Sequence, residues 1–575
     1  MPTARLIQFL SSPLARHPRL LARKVAQRLG WSPRFAFRAP PAAWRMQACP
    51  ELASGLRRWV ANVAPVADPH PDARLFGQDF DPATLHDLCR RGPATRADLL
   101  GDVKLIWEYG RSQGLVLDAL RAPPARQPEA SARGADFLRA WLASNANPAG
   151  PAWNNAMEVA LRAVAWLCAD AALDGSLQRA VGPDLWRNTM WHHRCAIAAG
   201  LEARLVSSNH YLANLLGLYF LKRHAGDTAG AASTARELEA AFAAQGRADG
   251  GAYEASLPYH AFITEMGLFY TLLAGPQSGP TWRGHLKRMV RIVADFSMPG
   301  QDVFPIGDDD SGRVIPLDDA APHLGRAGVL LALARTALGA SLARSGNALC
   351  PDSGWWVARS PACTAFLEFG GVGFHGLGGH AHNDDLSVCA WWEGRPVFTD
   401  PGSYLYTPDP AARNLFRSTR AHNVLSVDER EQRALPEGPR GLFSLPGDDA
   451  ARPVRAREPL SITCSAPLGG GTWQRTVQVR ADGLTVRDEV SGPVSGVVRA
   501  RFLLHPDWQA AQVATGLQLQ HRDGTCLTFR SEPALELRLE PGWISPRYGS
   551  KLPAMYVLGE ASGPWPAAVT WHLSA

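Results

Sequence analysis

The order of patterns along the chain predicts an α+β protein in two parts, a long helical half followed by an antiparallel β half. Apolar residues recur at three- and four-residue spacing from about residue 50 to about 345, and from about 350 the period changes to two. No long helical run interrupts the second half. A length of 575 residues also asks for more than one core, because single cores stop growing near roughly 250–300 residues.

In the helical half, residues 97–117 place Val103, Leu105, Ile106 and Tyr109 at helical spacing. Residues 157–173 repeat the pattern with Val159, Leu161, Val164, Ala165 and Leu167, and residues 211–220, 262–273 and 329–338 follow it. Joints rich in Gly and Pro, such as Asn147-Pro148-Ala149-Gly150-Pro151, break the helices. Many helices with short joints suggest paired helices curled into an α/α toroid, although a solenoid or a large bundle fits the periodicity equally and no fixed-length repeat is present. In the second half, residues 476–480 alternate, Asp482-Gly483 signals a hairpin turn, and residues 484–488 alternate again. Residues 497–504, 517–521 and 527–530 read the same way, which predicts two packed antiparallel sheets. The boundaries read from these changes are a basic N-terminal helical segment at 1–50, a helical domain at 51–345 and a β-sandwich domain at 346–575, with the active site expected in the cleft between the last two.

A hydrophobic content of 46% and a charged content of 19% are those of a globular chain. The net charge of +6 suits an acidic partner, such as a polyanionic glycan, nucleic acid or an anionic membrane. No nucleic-acid motif accompanies it. The 19 tryptophans offer indole faces for sugar rings, with helix cores as their commoner use. Nine scattered cysteines without a CxxC pair point away from a disulfide framework or a thiolate zinc site. Residues 1–50 carry nine Lys or Arg and no Asp or Glu. This start is a poor secretory signal and resembles basic amphipathic helices able to touch an anionic membrane. The expected location is therefore cytoplasmic with peripheral membrane contact, the periplasm being the alternative.

The segment most suggestive of chemistry is GGHAHNDDLS at 378–387, followed by TDPGSYLY at 399–406 and FRSTRAHNVLSVD at 416–428. Glycines admit a close backbone approach. His380 and His382 share a strand face if the piece is extended, so separate roles for them require a bend at the glycines. Imidazoles together with Asp400 and His422 suit zinc.

These three runs resemble the signature of heparinase II/III-like polysaccharide lyases. The helical half carries further motifs of that family in order: GDVKLIWE at 101–108 with Arg111, WNNAME at 153–158 with Arg162, SSNH at 207–210, DGGAYEASLPYH at 249–260 and PIGDDDSG at 305–312. The resemblance covers roughly residues 95–550. It implies an N-terminal α/α toroid, an incomplete barrel, followed by a β-sandwich, and β-elimination on a uronic-acid-containing polysaccharide. It implies one zinc ion, mainly structural, at His382, Asp400 and His422. The family is usually exported. A tyrosine that some relatives carry after the metal aspartate has Tyr404 and Tyr406 as candidates.

The chemistry fits the residues. Elimination removes the C5 proton of a uronate, so the carboxylate must first be neutralised by donors that stabilise the enolate-like dianion. A base then takes the proton and an acid serves the leaving oxygen. Asn209 and His210 are the expected donors. Tyr259 is expected as base and acid if nearby positive charge lowers its pKa, and His380 as base on the opposite ring face. Trp153, Tyr253, Glu254, His260 and Arg417 are expected around the substrate. Asp308, Asp309 and Asp310 are read as structural. Two rival functions remain open: a non-catalytic glycan-binding protein of exopolysaccharide biosynthesis or export, and a glycoside hydrolase on an α/α toroid. The sequence leaves the glycan, its sulfation and the oligomeric state open.

Overall fold

The computed structural model describes residues 17, 37–63, 74–75, 78–79, 103–339, 341–561, 565 and 567–575. Most of the basic segment 1–50 lies outside the described residues, and with it the expected membrane-surface helices. Gly101 and Asp102 of the first helical motif lie outside them too. The chain forms two compact units that are discontinuous in sequence. Met1–Gln245, Ala261–Val290 and Arg313–Leu342 belong to the first, and Gly246–His260, Arg291–Gly312 and Ala343–Ala575 to the second.

The first unit is helical. Its central helix, Ala156–Ala172, packs against Gly114–Arg121, Pro183–Gly200 and Asn209–His224. All of its residues are buried, as expected for a helix with apolar side chains all round. Asn155 caps it, its side-chain oxygen accepting from the Met157 and Glu158 amides at 3.0 and 3.4 Å. Two of the three charged residues in this helix, Glu158 and Arg162, are answered inside the unit by side chains, and the third, Asp170, accepts the Gln178 amide at 2.8 Å. Arg111 donates to both Glu158 oxygens at 2.6 and 3.0 Å. Arg162 donates from Nε to His193 Nε2 at 3.0 Å and lies 4.4 Å from the centre of the Trp141 ring. Among the described residues no helix is long and apolar enough to cross a membrane.

The second unit is built on two antiparallel sheets. One runs, in spatial order, Trp508–Val513, Gly516–His521, Cys526–Glu532, Ala568–Ser574, Gly483–Ser491, Gly471–Arg480, Ser461–Leu468 and Val454–Glu458. The other runs Glu536–Arg547, Ser550–Glu560, Val498–Leu504, Arg395–Phe398, Val388–Trp392, Cys363–Glu368, Trp355–Arg359 and Ala348–Cys350, with Leu425–Val427 also paired to Val498–Leu504. The expected hairpin is present, with Arg480 opposite Gly483 and Thr476 opposite Arg487. Alternate residues of its first strand point inward, Trp473, Arg475, Val477 and Val479 being buried. Apolar side chains of both sheets form one core that includes Trp356, Leu367, Trp473 and Trp571. Arg475 enters it paired with Asp488 at 2.8 and 3.0 Å and bonded to the Leu386 and Asn423 carbonyls, while Trp473 and Trp571 donate to the Asp488 carboxylate. A helix-rich N-terminal part followed by antiparallel sheets is the predicted architecture.

Candidate active site and metal centre

In the second unit, His380, His382 and Arg413 converge on one carboxylate, Asp308. Gly307 before it has φ +71°, and a Cβ there would lie 2.6 Å from the Ala255 carbonyl oxygen and 2.9 Å from that of His380. Only glycine permits so close an approach. The Asp308 amide donates to the His380 carbonyl at 2.9 Å. Its fully buried carboxylate accepts from His380 Nδ1 at 2.9 Å, His382 Nε2 at 2.8 Å and Arg413 Nη2 at 2.7 Å, and from Arg413 Nη1 on its other oxygen. Burial pushes the Asp308 pKa up, but the Arg413 guanidinium and the two imidazoles outweigh it and hold the carboxyl well below the usual range. An ionised carboxylate only accepts, so the imidazole nitrogens facing it carry hydrogen. His380 Nε2 and His382 Nδ1 are then left with lone pairs.

Tyr259 sits in the first turn of Leu257–Ala274. Its amide donates to Ser256 Oγ at 3.1 Å, and Ser256 Oγ donates to the Asp308 carbonyl at 2.6 Å. The Tyr259 ring stacks on His380 with centroids 3.8 Å apart and planes 16° from parallel. Its hydroxyl lies 3.3 Å from that of Tyr406, and Tyr406 in turn lies under Arg413, 4.9 Å from ring centre to guanidinium. The expected lowering of the Tyr259 pKa is not what the surroundings produce. Burial, then the Asp310 and Asp308 carboxylates, push it well above the usual tyrosine range. Glu254, fully buried, places a carboxylate oxygen 3.5 Å from His380 Nε2. Tyr253 packs on Phe374 and His375 at 5.1 and 5.2 Å.

His382, Asp400 and His422 come together, one ligand atom from each lying within 4.8 Å of the others. His422 Nδ1 bonds Asp400 Oδ2 at 2.8 Å, and the Gly402 amide donates to Asp400 Oδ1 at 3.0 Å. His382 Nδ1 and His422 Nε2 are buried without a hydrogen-bond partner. Two imidazole lone pairs left open in a dry pocket beside a carboxylate are costly unless something coordinates them. The donor set therefore fits a metal ion, with Asp308 supporting His382 from behind as carboxylates commonly support ligand histidines.

Asn209 and His210 belong to the first unit. Ser208 holds the cap position of helix Asn209–His224, so Asn209 is its first helical residue rather than its cap. His210 keeps 36% of its side chain exposed and bonds Glu202 through Nδ1 at 2.9 Å. Desolvation pulls its pKa down, but the Glu202 carboxylate prevails and raises it. Asn214 steadies Glu202 at 3.3 Å.

Three residues expected around the substrate are buried and held by contacts within the fold. The buried Trp153 ring packs edge-on to Trp141 and His193, and its indole N–H donates to the Asn145 carbonyl at 3.0 Å. His260, fully buried, accepts the Ala252 amide at 3.2 Å. Arg417 is buried and binds Asn414 and the carbonyls of Ser444 and Gly441 at 2.7 to 3.1 Å. In return the structure adds Arg413, Glu202 and Tyr406, of which only Tyr406 carried a signal in the sequence, as one of two candidates.

Residues 343–560 match the family model described as Heparinase II/III-like, C-terminal. The match covers the second-half residues only, which are similar to that domain. No curated protein matches the chain by sequence. Solved structures share the fold across nearly its whole length. A crystal structure of heparinase III aligns with a TM-score of 0.64 at 14% identity, covering 98% of this chain and 92% of that one. A second heparinase III aligns at 0.60 and 16%, covering 98% and 91%. The heparan sulfate lyase HepC of Pedobacter heparinus aligns at 0.55 and 17%, covering 96% and 87%. The resemblance drawn from the motifs, and the toroid-plus-sandwich fold it implied, are borne out. Within the matched residues lie His380, the His382–Asp400–His422 triad, Tyr406 and Arg413.

Proposed function

We propose that this protein is a polysaccharide lyase that cleaves a uronic-acid-containing glycan by β-elimination. The observation that carries the reading is the Tyr259–His380 pair held over Asp308. Asp308 takes the Nδ1 hydrogen of His380 and leaves Nε2 to accept a proton, and Glu254 at 3.5 Å favours the imidazolium that results. Tyr259, kept protonated by burial and nearby carboxylates, is suited to give its proton to the leaving oxygen. Its conjugate base would be costly here, so this surrounding favours His380 as base and Tyr259 as acid over Tyr259 in both roles. Entry of a pyranose between the rings requires the stack to part. Asn209 and His210 are proposed as the donors that neutralise the substrate carboxylate, with Glu202 favouring the charged form of His210. Zinc is the ion proposed for His382, Asp400 and His422, where its charge would lock the glycine-rich segment that carries His380.

The test is incubation with a panel of uronans, following the ultraviolet absorbance of a C4–C5 unsaturated uronate alongside reducing ends. Both signals rising together support the lyase. Reducing ends without the absorbance identify a hydrolase, and neither signal on any uronan leaves a binding protein.

A further inference from the structure

A second cavity, of about 530 Å³, opens in the second unit. Neither the Tyr259–His380 pair, Asp308 nor the metal triad lines it, although Pro401 and Ala421 at its wall are chain neighbours of Asp400 and His422. Edge strand Glu536–Arg547 and the next two strands of its sheet, Ser550–Glu560 and Val498–Leu504, supply most of its polar wall.

The wall's charges are unequal and mostly pre-positioned. Four guanidiniums, those of Arg420, Arg499, Arg501 and Arg538, face three carboxylates, those of Glu429, Glu540 and Glu560, which leaves a net charge of one positive. Arg499 is fixed by Glu560 at 2.8 Å and Glu429 at 3.1 Å, and Arg501 by Glu429 at 2.8 Å. Arg538 is held from outside the cavity by Glu536 at 2.8 and 2.9 Å. Arg420 is exposed and has no carboxylate partner among the described residues. An apolar surface completes the wall: Trp543, on the edge strand, is 39% exposed. The Lys551 ammonium, 4.6 Å from the Trp543 ring and 4.8 Å from that of Tyr404, holds the indole in place.

Such a wall selects its ligand by exclusion. A compact inorganic anion would answer Arg420 but meet three carboxylates. A neutral sugar would leave Arg420 unanswered, and an apolar ligand would strip water from the ion pairs without replacing their hydrogen bonds. A sugar bearing one carboxylate meets every requirement. Its charge pairs with Arg420, its hydroxyls bond the spare lone pairs and N–H groups of ion pairs already ordered, and an apolar ring face lies on the indole. The volume falls in the ~300–1,000 Å³ range of small-molecule sites. We infer that this cavity is a second binding site, separate from the Tyr259–His380 pair, for an acidic sugar residue. The inference rests on the cavity's own chemistry and stands whether or not the chain is a lyase.

The experiment is fluorine NMR on the full chain labelled with fluorotryptophan. The resonance missing from Trp543→Phe identifies Trp543 among the 19 indoles. Sodium D-glucuronate is the probe, with D-glucose and sodium sulfate at matched concentrations as controls. A saturable shift of the Trp543 resonance with glucuronate alone is expected, weakened about ten-fold or more by Arg420→Ala and unchanged by Tyr259→Phe. Both cavity substitutions are at exposed positions, so the fold is retained. No shift with glucuronate, an equal shift with glucose or sulfate, or a glucuronate shift indifferent to Arg420→Ala would each overturn the site. Loss of the shift in Tyr259→Phe would also overturn it, by assigning the binding to the Tyr259–His380 pair.

Discussion

Two buried histidine environments, one in each unit, look alike in composition and differ in what they leave open. In the helical unit, His193 uses both ring nitrogens: Nδ1 donates to the Thr189 carbonyl at 2.8 Å and Nε2 accepts from Arg162 at 3.0 Å. Burial, then the Arg162 charge, hold its pKa well below the ordinary value. In the second unit, His382 and His422 each spend one nitrogen on a carboxylate and leave the other, Nδ1 and Nε2 respectively, unpartnered and buried. The first network closes on itself and is structural. The second is incomplete without a ligand. A motif residue thus shows its use by whether its hydrogen-bonding capacity is exhausted within the fold.

The largest effect expected is at the hub of the open network. Asp308→Ala leaves Arg413 buried without its carboxylate, which should cost ~3–5 kcal/mol of stability in denaturant unfolding. Metal affinity should fall ~10–100-fold as His382 loses its support. If Asp308→Ala retained wild-type metal affinity, Asp308 would not support the centre. A paired substitution sharpens the contrast. His382→Ala should lose bound metal by elemental analysis and lower the melting temperature together. His193→Leu should cost about 1–3 kcal/mol, because Arg162 loses an acceptor, and change metal content not at all. Metal loss in both variants would erase the distinction between the two networks.

The smallest effect is a pH dependence confined to the helical unit. Burial pushes the Asp170 carboxyl up to about 6, against the Gln178 amide that favours its charge. A raised carboxyl pKa stabilises the fold below the unfolded value and loses that contribution as pH rises through the folded one. Asp170 should therefore contribute about 1 kcal/mol less at about pH 7 than at about pH 5. Asp170→Asn should flatten that part of the stability profile, measured by urea unfolding at both pH values. An unchanged profile would show that Asp170 is not the source.

The sequence made some of this legible and not the rest, for physical reasons. The resemblance carried by the glycine-rich segment and the runs after it named His382, Asp400 and His422, and these come within 4.8 Å of one another because they lie in adjoining pieces of one domain. Arg413 was invisible, since its partner Asp308 lies 105 residues away and nothing in its own helix distinguishes it. Tyr404 and Tyr406 could not be separated by sequence, yet only Tyr406 reaches the Tyr259 hydroxyl; Tyr404, at φ 59°, meets Lys551 instead. Trp153 is buried against Trp141 and His193, which sequence could not show because an indole fills a helix core as readily as it stacks on a sugar. Arg417 is held by loop carbonyls from residues 441 and 444, partners that no sequence pattern reveals. The direction of the Tyr259 pKa was hidden because it is set first by burial and then by carboxylates from a segment about fifty residues further on.

The central claim is that elimination runs through the Tyr259 hydroxyl. Tyr259→Phe removes that oxygen and keeps the ring that stacks on His380. On the uronan that the wild type cleaves best, the rate of unsaturated-uronate formation should fall ~10²–10⁴-fold with an unchanged melting temperature. Near-wild-type elimination by Tyr259→Phe on every accepted uronan would contradict the account.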